Sequence, residues 1–568
     1  MSTLPPLSNF FAIFLPDSLS RQERRQVLSA SGEFDEFWEP APGWLVGQKH
    51  LPLNKPVPAA ARQNGFIFAE GALAIAQGSA ADPDAFYRDL AHFVDQAPGK
   101  LSQFSGDFTF LRFCPDGTVT AVRACAGLAP LYFSADNRVF ATRLKWMRDF
   151  GGFHAKDPLP LAMWASSCML FPDGRTFFKH VSCLDRGFFR QTRSLIMQSY
   201  WDPWPKSLPA PSPRLVDQHA VLLRDLLIAH LKKNLDPDGA NLLTLSGGVD
   251  SSCLAALSSG ILKLPPATLS CVPSSPDIYE FEIQFIQSIR KSFNLQRNIE
   301  VVISREQRFR TLTSLPDVGV PVPHPALVHL FSMSRESLPK VLFGGEFADE
   351  VVGSHFTLPD WAAMVSPFYL AAEWLGGRAS LKDIARLMKQ KAIWLAQPYP
   401  LRLSKELPGH FASPLRLEYR AWTQNRTAQR NKFQPKFFFR ECFQDSEYVT
   451  MNWEALSQLG VRRCLPFHNR EIIEFACTLH PRELVVPRTK KILRKALEHD
   501  VPPLNLNRTS KGLWGRGPDS FNPESLLGYL EDVIPLLEPR FHQTEEGRKS
   551  IEWATPMIAT AHFIRKSQ

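Results

Sequence analysis

The segment NLLTLSGGVDSSCLAAL, residues 241–257, runs an apolar strand-like stretch into Ser246, Gly247, Gly248, Val249, Asp250 and Ser251, then continues with a helical pattern. Two adjacent glycines let a backbone approach an anion with no Cβ in the way. A helix starting at once adds unpaired N–H groups and the positive end of its dipole. The chemistry this suits is phosphate binding. Ser246 and Ser251 can add hydroxyl donors, and Asp250 sits where a carboxylate can hold the Mg²⁺ that accompanies a nucleotide. A Gly-Gly turn between strand and helix also occurs as plain structure in α/β proteins, so the loop must be weighed with its neighbours. No Lys follows the second glycine, so this is not a Walker A loop built for γ-phosphate chemistry.

Three further stretches carry charge at suggestive places. VLFGGEFADEVVGS, residues 341–354, is a strand with a Gly-rich exit followed by acidic residues, which alone could equally be helix N-terminal charges. RTKKILRKALEHDVPP, residues 488–503, and RTSKGLWGRG, residues 508–517, are basic. A cation near an α-phosphate counters charge that develops during reaction, although Lys490, Lys491, Arg494 and Lys495 also fit an ordinary solvated helix face.

The elements that must position these residues change character along the chain. The first two hundred or so residues read as short strands (FFAIFL, GWLVGQ, FIFAEGALAIA, GDFTFLRF, GTVTAVRA, PLYFSA, RVFATR) punctuated by Gly, Pro and Asn/Asp turns, with one clear helix over 82–96. The proline-rich YWDPWPKSLPAPSPR, residues 200–214, can neither continue a helix nor donate to a sheet ladder, and reads as a linker. Beyond it helices over 215–233, 251–262 and 279–293 alternate with the apolar strands NLLTL, PATLSCV, NIEVVIS and KVLFGG. That alternation predicts a parallel sheet with helices on both faces. From about residue 361 onward the pattern is mostly helical.

The chain has 568 residues, 44% hydrophobic, and a formal net charge of +9, enough apolar material for several cores and a mild bias toward anionic partners. Its nine cysteines include no C-x-x-C pair, which argues against a zinc ribbon or redox dithiol and fits a reduced compartment. The N-terminal MSTLPPLSNFFAIFLPDS lacks the charge layout of a secretory signal, and the apolar run 159–171 is too short to span a bilayer. The expectation is a cytoplasmic protein with no membrane segment.

In its strand–SGGxDS–helix setting, the 246–251 loop resembles the pyrophosphate-binding loop of the N-type ATP pyrophosphatases. These cleave between the α- and β-phosphates and activate their substrate as an adenylate. Other segments agree in order. PATLSCVPSSPD, residues 266–277, ends at the sheet edge where open α/β folds bind ligands, and by the resemblance Val272 lines the adenine. GGEFADEVVG resembles the S-G-E-G-x-D-E-x-x-G-G segment of asparagine synthetase-like enzymes. This implies nucleotide-facing Gly344 and Gly345, a catalytic Glu346, and Asp349 as the second Mg²⁺ ligand beside Asp250. Residues 462–484 look like the family's R-x-P-F-L-D region, with His468 and Asn469 in place of Leu-Asp, and Phe347 stands where the family usually has a small residue. The K-x-x-L-R pattern picks out Lys490 as the lysine that stabilises the amide-forming transition state, and Lys511 as a pyrophosphate ligand. ATP and Mg²⁺ are the implied cofactors.

The N-terminal part resembles the class II glutamine amidotransferases, through GDFTFLRF at 106–113 and VRACAGLAPLYFS at 122–134. The implied fold class is α/β: a mainly β amidotransferase-like domain over 1–205, then a parallel-sheet asparagine synthetase-like ATP-pyrophosphatase domain with extra helices over 206–568. Those amidotransferases begin Met-Cys-Gly-Ile-Phe, and the cysteine is their nucleophile. Here Phe11 stands in its place, with ten residues ahead of it. Without a thiolate beside a free α-amine, glutamine hydrolysis has no nucleophile.

Family members lacking that nucleophile mostly close a ring with an amine of the substrate itself, as in β-lactam synthetases and the macrolactam cyclases of lasso peptide biosynthesis. The β-lactam group has a Tyr, paired with a Glu, at the position of Glu346, so the second group is the nearer resemblance. It implies a precursor core peptide as substrate, with a leader peptidase and a recognition element as possible partners, and neither nucleic acid nor membrane. An ammonia-dependent ligase acting on a small substrate and a catalytically silent scaffold are the competing readings.

Overall fold

The computed structural model describes residues 8–50, 59–71, 74–75, 83–105, 108–165, 172–194, 196–203, 213–274, 276–303, 315–321, 325–353, 411–425, 448–479, 483–484, 489–508 and 555–567, with isolated positions between 310 and 313, between 375 and 392, and at 536. The N-terminal part comprises β1 (Ser8–Phe14), α1 (Ser18–Ala30), β2 (Glu36–Trp38), β3 (Trp44–His50), α2 (Ala59–Gln63), β4 (Phe66–Gly71), β5 (Ala74–Ile75), α3 (Pro83–Gln96), β6 (Phe104–Ser105), β7 (Phe108–Phe113), β8 (Val119–Arg123), β9 (Tyr132–Ser134), β10 (Val139–Ala141), α4 (Leu144–Asp149), α5 (Pro158–Ala165), β11 (Val181–Cys183), β12 (Phe188–Gln191) and β13 (Gln198–Ser199). Among the described residues two larger antiparallel sheets form, in the orders β11-β9-β10-β1-β3-β2 and β13-β12-β8-β7-β4, and β5 pairs antiparallel with β6. Successive strand residues face opposite ways. Phe10 and Ala12 accordingly share a core with Trp44, Val46, Phe108 and Phe110 that joins the sheets. Phe11, Ile13 and Leu45 turn to the other side and pack with Trp146, Met147 and Leu161 of α4 and α5.

The second part comprises α6 (Pro213–Asn234), β14 (Asn241–Thr244), α7 (Val249–Ala255), β15 (Ala267–Pro273), α8 (Pro276–Ser292), β16 (Asn298–Ile303), α9 (Pro325–Phe331), β17 (Val341–Phe343), α10 (Ala348–Val351), α11 (Tyr448–Leu459), β18 (Arg462–Cys464), α12 (Arg470–Thr478), α13 (Lys491–Ala496), α14 (Pro503–Leu506) and α15 (Thr555–Lys566). Its five strands are all parallel, in the order β16-β15-β14-β17-β18. Both faces are buried, as the near-continuous apolar strands require. Leu243 and Phe343 pack with Leu227 of α6, Leu254 of α7 and Ile286 of α8, while Leu242 and Leu342 pack with Leu327 of α9 and Leu456 of α11. The stretch that follows residue 461, expected as a helical region, opens with the fifth strand before α12 begins.

The two parts meet through buried polar groups as well as apolar ones. Arg123 and Arg186, both fully buried, donate to Thr450 Oγ1 of α11 at 2.7 and 2.6 Å. Tyr132 donates its hydroxyl to Glu454 Oε2 at 2.9 Å, and the Leu144 N–H at the start of α4 donates to Oε1 at 2.6 Å. Arg470 of α12 reaches the Ser102 carbonyl at 2.7 Å. Among the described residues, no helix is long and apolar enough to cross a membrane.

Candidate active site

Parallel pairing of β14 with β15 and β17 brings the C-terminal ends of these strands side by side, so the loops that leave them are neighbours. The first loop carries Ser246, Gly247 and Gly248 into α7, which continues through a π-turn over Ala256–Ile261. Gly247 has φ of +66°, and a Cβ there would lie 2.6 Å from Phe285 Cβ, so both conformation and space demand glycine. Ser246 and Ser251 hydroxyls stand 3.2 Å apart, and the Gly248 N–H donates to Ser246 Oγ at 3.3 Å. The expected donors are thus gathered on one loop.

The second loop, from β17, fits against the first. A Cβ on Gly345 would stand 2.6 Å from Asp250 Cβ, and one on Gly344 would run into Thr244 Oγ1 and the Glu346 carboxylate. These two glycines let the acidic loop touch the anion loop. Glu346 is ion-paired with the buried Arg463 of β18, a partner no sequence cue indicated. Phe347, with φ of +68°, opens the four-residue α10 from a left-handed conformation that costs a residue with a Cβ roughly 1–2 kcal/mol. Its ring lies 4.4 Å from that of His468. The two departures from the family pattern therefore touch each other. Burial, with Arg186 and Arg123 nearby, holds His468 well below the usual histidine range and hence neutral.

Lys490 completes the cluster from the opposite direction. It caps the N-terminus of α13 in a left-handed conformation and is only 7% exposed. Its Nζ bonds Asp250 Oδ2 and lies 2.7 Å from Asp349 Oδ1. Burial alone would lower its pKa, but the two carboxylates outweigh this and hold the ammonium above the ordinary lysine value. Asp250, Asp349 and Lys490, distant in sequence, are brought to one point.

Two carboxylates converging on one cation suit a hard divalent ion, which takes oxygen ligands and typically pairs one or two carboxylates with substrate phosphates. Among the described residues no group of three or more His, Cys, Asp and Glu is placed to hold a metal by protein ligands alone. A pair of carboxylates is a donor set that fits Mg²⁺ shared with substrate phosphates. Val272 lies on β15 with its side chain fully buried, in the same apolar core as residues of α7 and α8. Lys511 lies outside the described residues. Asn505 and Arg508 bond the Gly247 and Ser246 carbonyls and Glu282 holds Arg508; the sequence marks Arg508 only as the first residue of the basic segment 508–517, and marks neither Asn505 nor Glu282. Contacts across some 220 to 260 positions leave no periodic signal.

No curated protein matches the chain. The family model for asparagine synthase matches residues 222–536, more than half of the chain, and runs through the glycine loop, the acidic loop and the lysine. The chain belongs to the asparagine synthase family, whose members are ATP-dependent amide ligases that form AMP and pyrophosphate.

Proposed function

We propose that the protein is a lasso peptide macrolactam cyclase, acting in the cytoplasm on a precursor core peptide delivered by a leader peptidase and recognition element. The observation that supports this reading is the meeting of Lys490 with Asp250 and Asp349 beside the glycine loop, together with Phe11 at the position where the amidotransferase resemblance would put the nucleophilic cysteine. Phe11 is buried in the middle of β1, opposite Gly47 and Ala141. Burial and Asp95 push the Cys114 thiol up to about 12, so it does not supply a thiolate instead. Residues 1–205 are then a vestigial amidotransferase-like domain, and 206–568 the adenylating and amide-forming domain.

In this reading the loop over 246–251 binds the β- and γ-phosphates of ATP, with Gly344 and Gly345 lining the nucleotide and Lys511 adding charge. Asp250 and Asp349 would hold Mg²⁺, which would neutralise phosphate charge. A side-chain carboxylate oxygen of Asp or Glu in the peptide attacks the α-phosphorus, and pyrophosphate leaves. The peptide's N-terminal amine then attacks the acyl carbon, loses a proton and expels AMP, giving an isopeptide ring. Lys490 counters charge on the α-phosphate in both steps. Glu346, fixed by Arg463, orients or deprotonates the amine.

Mass spectrometry of a synthetic precursor with ATP and Mg²⁺ tests the proposal. Loss of one water with equimolar AMP is the expected result. An unchanged peptide together with AMP formation from aspartate and ammonium would instead support a small-substrate ligase, and no ATP turnover with any substrate would support a scaffold.

A further inference from the structure

Two side chains near the end of the 489–508 stretch reach across the fold to the backbone of the glycine loop. Asn505 of α14, fully buried, donates from Nδ2 to the carbonyl oxygens of Gly247 at 3.0 Å and Phe285 at 2.8 Å. Arg508 donates from Nη1 to the Ser246 carbonyl at 3.2 Å, and its Nη2 bonds both oxygens of Glu282 at 2.7 and 2.8 Å. The guanidinium also lies 4.2 Å from the centroid of the Phe285 ring. Glu282 and Phe285 belong to α8, the helix that follows β15.

A Ser-Gly-Gly sequence does not choose the direction of its own peptide planes, because glycine accepts either sign of φ. Something outside the loop must choose. In a trans peptide the carbonyl of one residue and the N–H of the next point in opposite directions. Holding the Ser246 and Gly247 carbonyls toward α8 and α14 therefore turns the N–H groups of Gly247 and Gly248 to the other side. The Gly248 N–H donates within the loop, to Ser246 Oγ at 3.3 Å.

We propose that Asn505 and Arg508 are positioning residues that set the peptide planes of 246–248, so that the loop presents N–H groups rather than carbonyls to a pyrophosphate moiety. The inference rests on the reading of this loop as the site of the β- and γ-phosphates. It makes a distinction that a merely structural role does not: the loss on mutation falls on ligands carrying pyrophosphate and spares AMP.

Calorimetric binding of Mg²⁺-pyrophosphate, Mg²⁺-ATP and AMP to the full chain tests it. Asn505→Ala, which removes one donor from each of two buried carbonyls, is expected to weaken pyrophosphate and ATP about ten- to a hundredfold and leave AMP within about twofold. Arg508→Lys is expected to shift the same ratio in the same direction by about fivefold, since lysine cannot reproduce the planar fork that joins Glu282 to the carbonyl. Should Asn505→Ala fail to fold, the pyrophosphate-to-AMP ratio of Arg508→Lys decides. Folded variants that bind pyrophosphate as the wild type does, or lose AMP and pyrophosphate equally, overturn the inference with the site reading intact. A wild-type chain that binds neither ATP nor pyrophosphate overturns the site reading itself.

Discussion

Lys490 holds two carboxylates together, and its removal leaves Asp250 and Asp349 facing each other with no shared ammonium. Breaking a buried pair by removing one partner costs about 3–5 kcal/mol. Lys490→Met should therefore melt lower than wild type in chelator and recover more than wild type on addition of Mg²⁺. Amide formation should fall by about 10²–10³, the usual cost of a donor aimed at developing charge. The sign of the pH effect follows from its raised pKa. The stabilisation is complete below the ordinary value of 10.5 and is lost only as pH rises through the still higher folded value, so Lys490 should contribute no limb to a pH–rate profile near neutrality. Glu346→Gln separates the two steps of the proposed reaction: ATP–pyrophosphate exchange should persist while ring closure falls about 10²–10⁴-fold. Equal loss of both would mark Glu346 as structural, through its pair with Arg463.

At the level of elements, the site is where two strand-exit loops touch, and glycine is what permits the contact. Gly345→Ala would place a Cβ 2.6 Å from Asp250 Cβ, closer than such atoms stand. The expected outcome is a KM for ATP raised about tenfold or more, with secondary structure by circular dichroism unchanged. The glycine and acid residues of both loops were legible in the sequence because strand, loop and helix are consecutive there and each signal is local. β18 was not. Its three residues, RRC, carry no strand periodicity and are strands only because β17 pairs with them.

At the scale of the molecule, the two parts are locked by Glu454, whose carboxyl takes the Tyr132 hydroxyl and the Leu144 N–H inside the junction. Burial raises its pKa from the ordinary 4.5 to about 8, against the lowering effects of Tyr132, the Leu144 N–H and Arg143. A raised carboxyl stabilises the fold fully below about 4.5 and loses that contribution as pH climbs through about 8. Thermal melts should show stability declining over that window, and Glu454→Gln should flatten the decline. Phe11→Cys, by contrast, should create no glutaminase activity, measurable as glutamate release, since a thiol at this buried mid-strand position has no free α-amine beside it. What the sequence determined by itself was the family chemistry, the alternation that makes a parallel sheet, and the residue types of each loop, because these reside in short windows of chain. What only the tertiary structure decided was that Lys490 meets both aspartates, that Arg463 holds Glu346, that the Phe347 and His468 rings lie against one another, and that Asn505 and Arg508 bond the carbonyls of the glycine loop. Those contacts join residues more than a hundred positions apart, and parallel pairing and packing on both sheet faces bring such residues together where no local pattern can announce it.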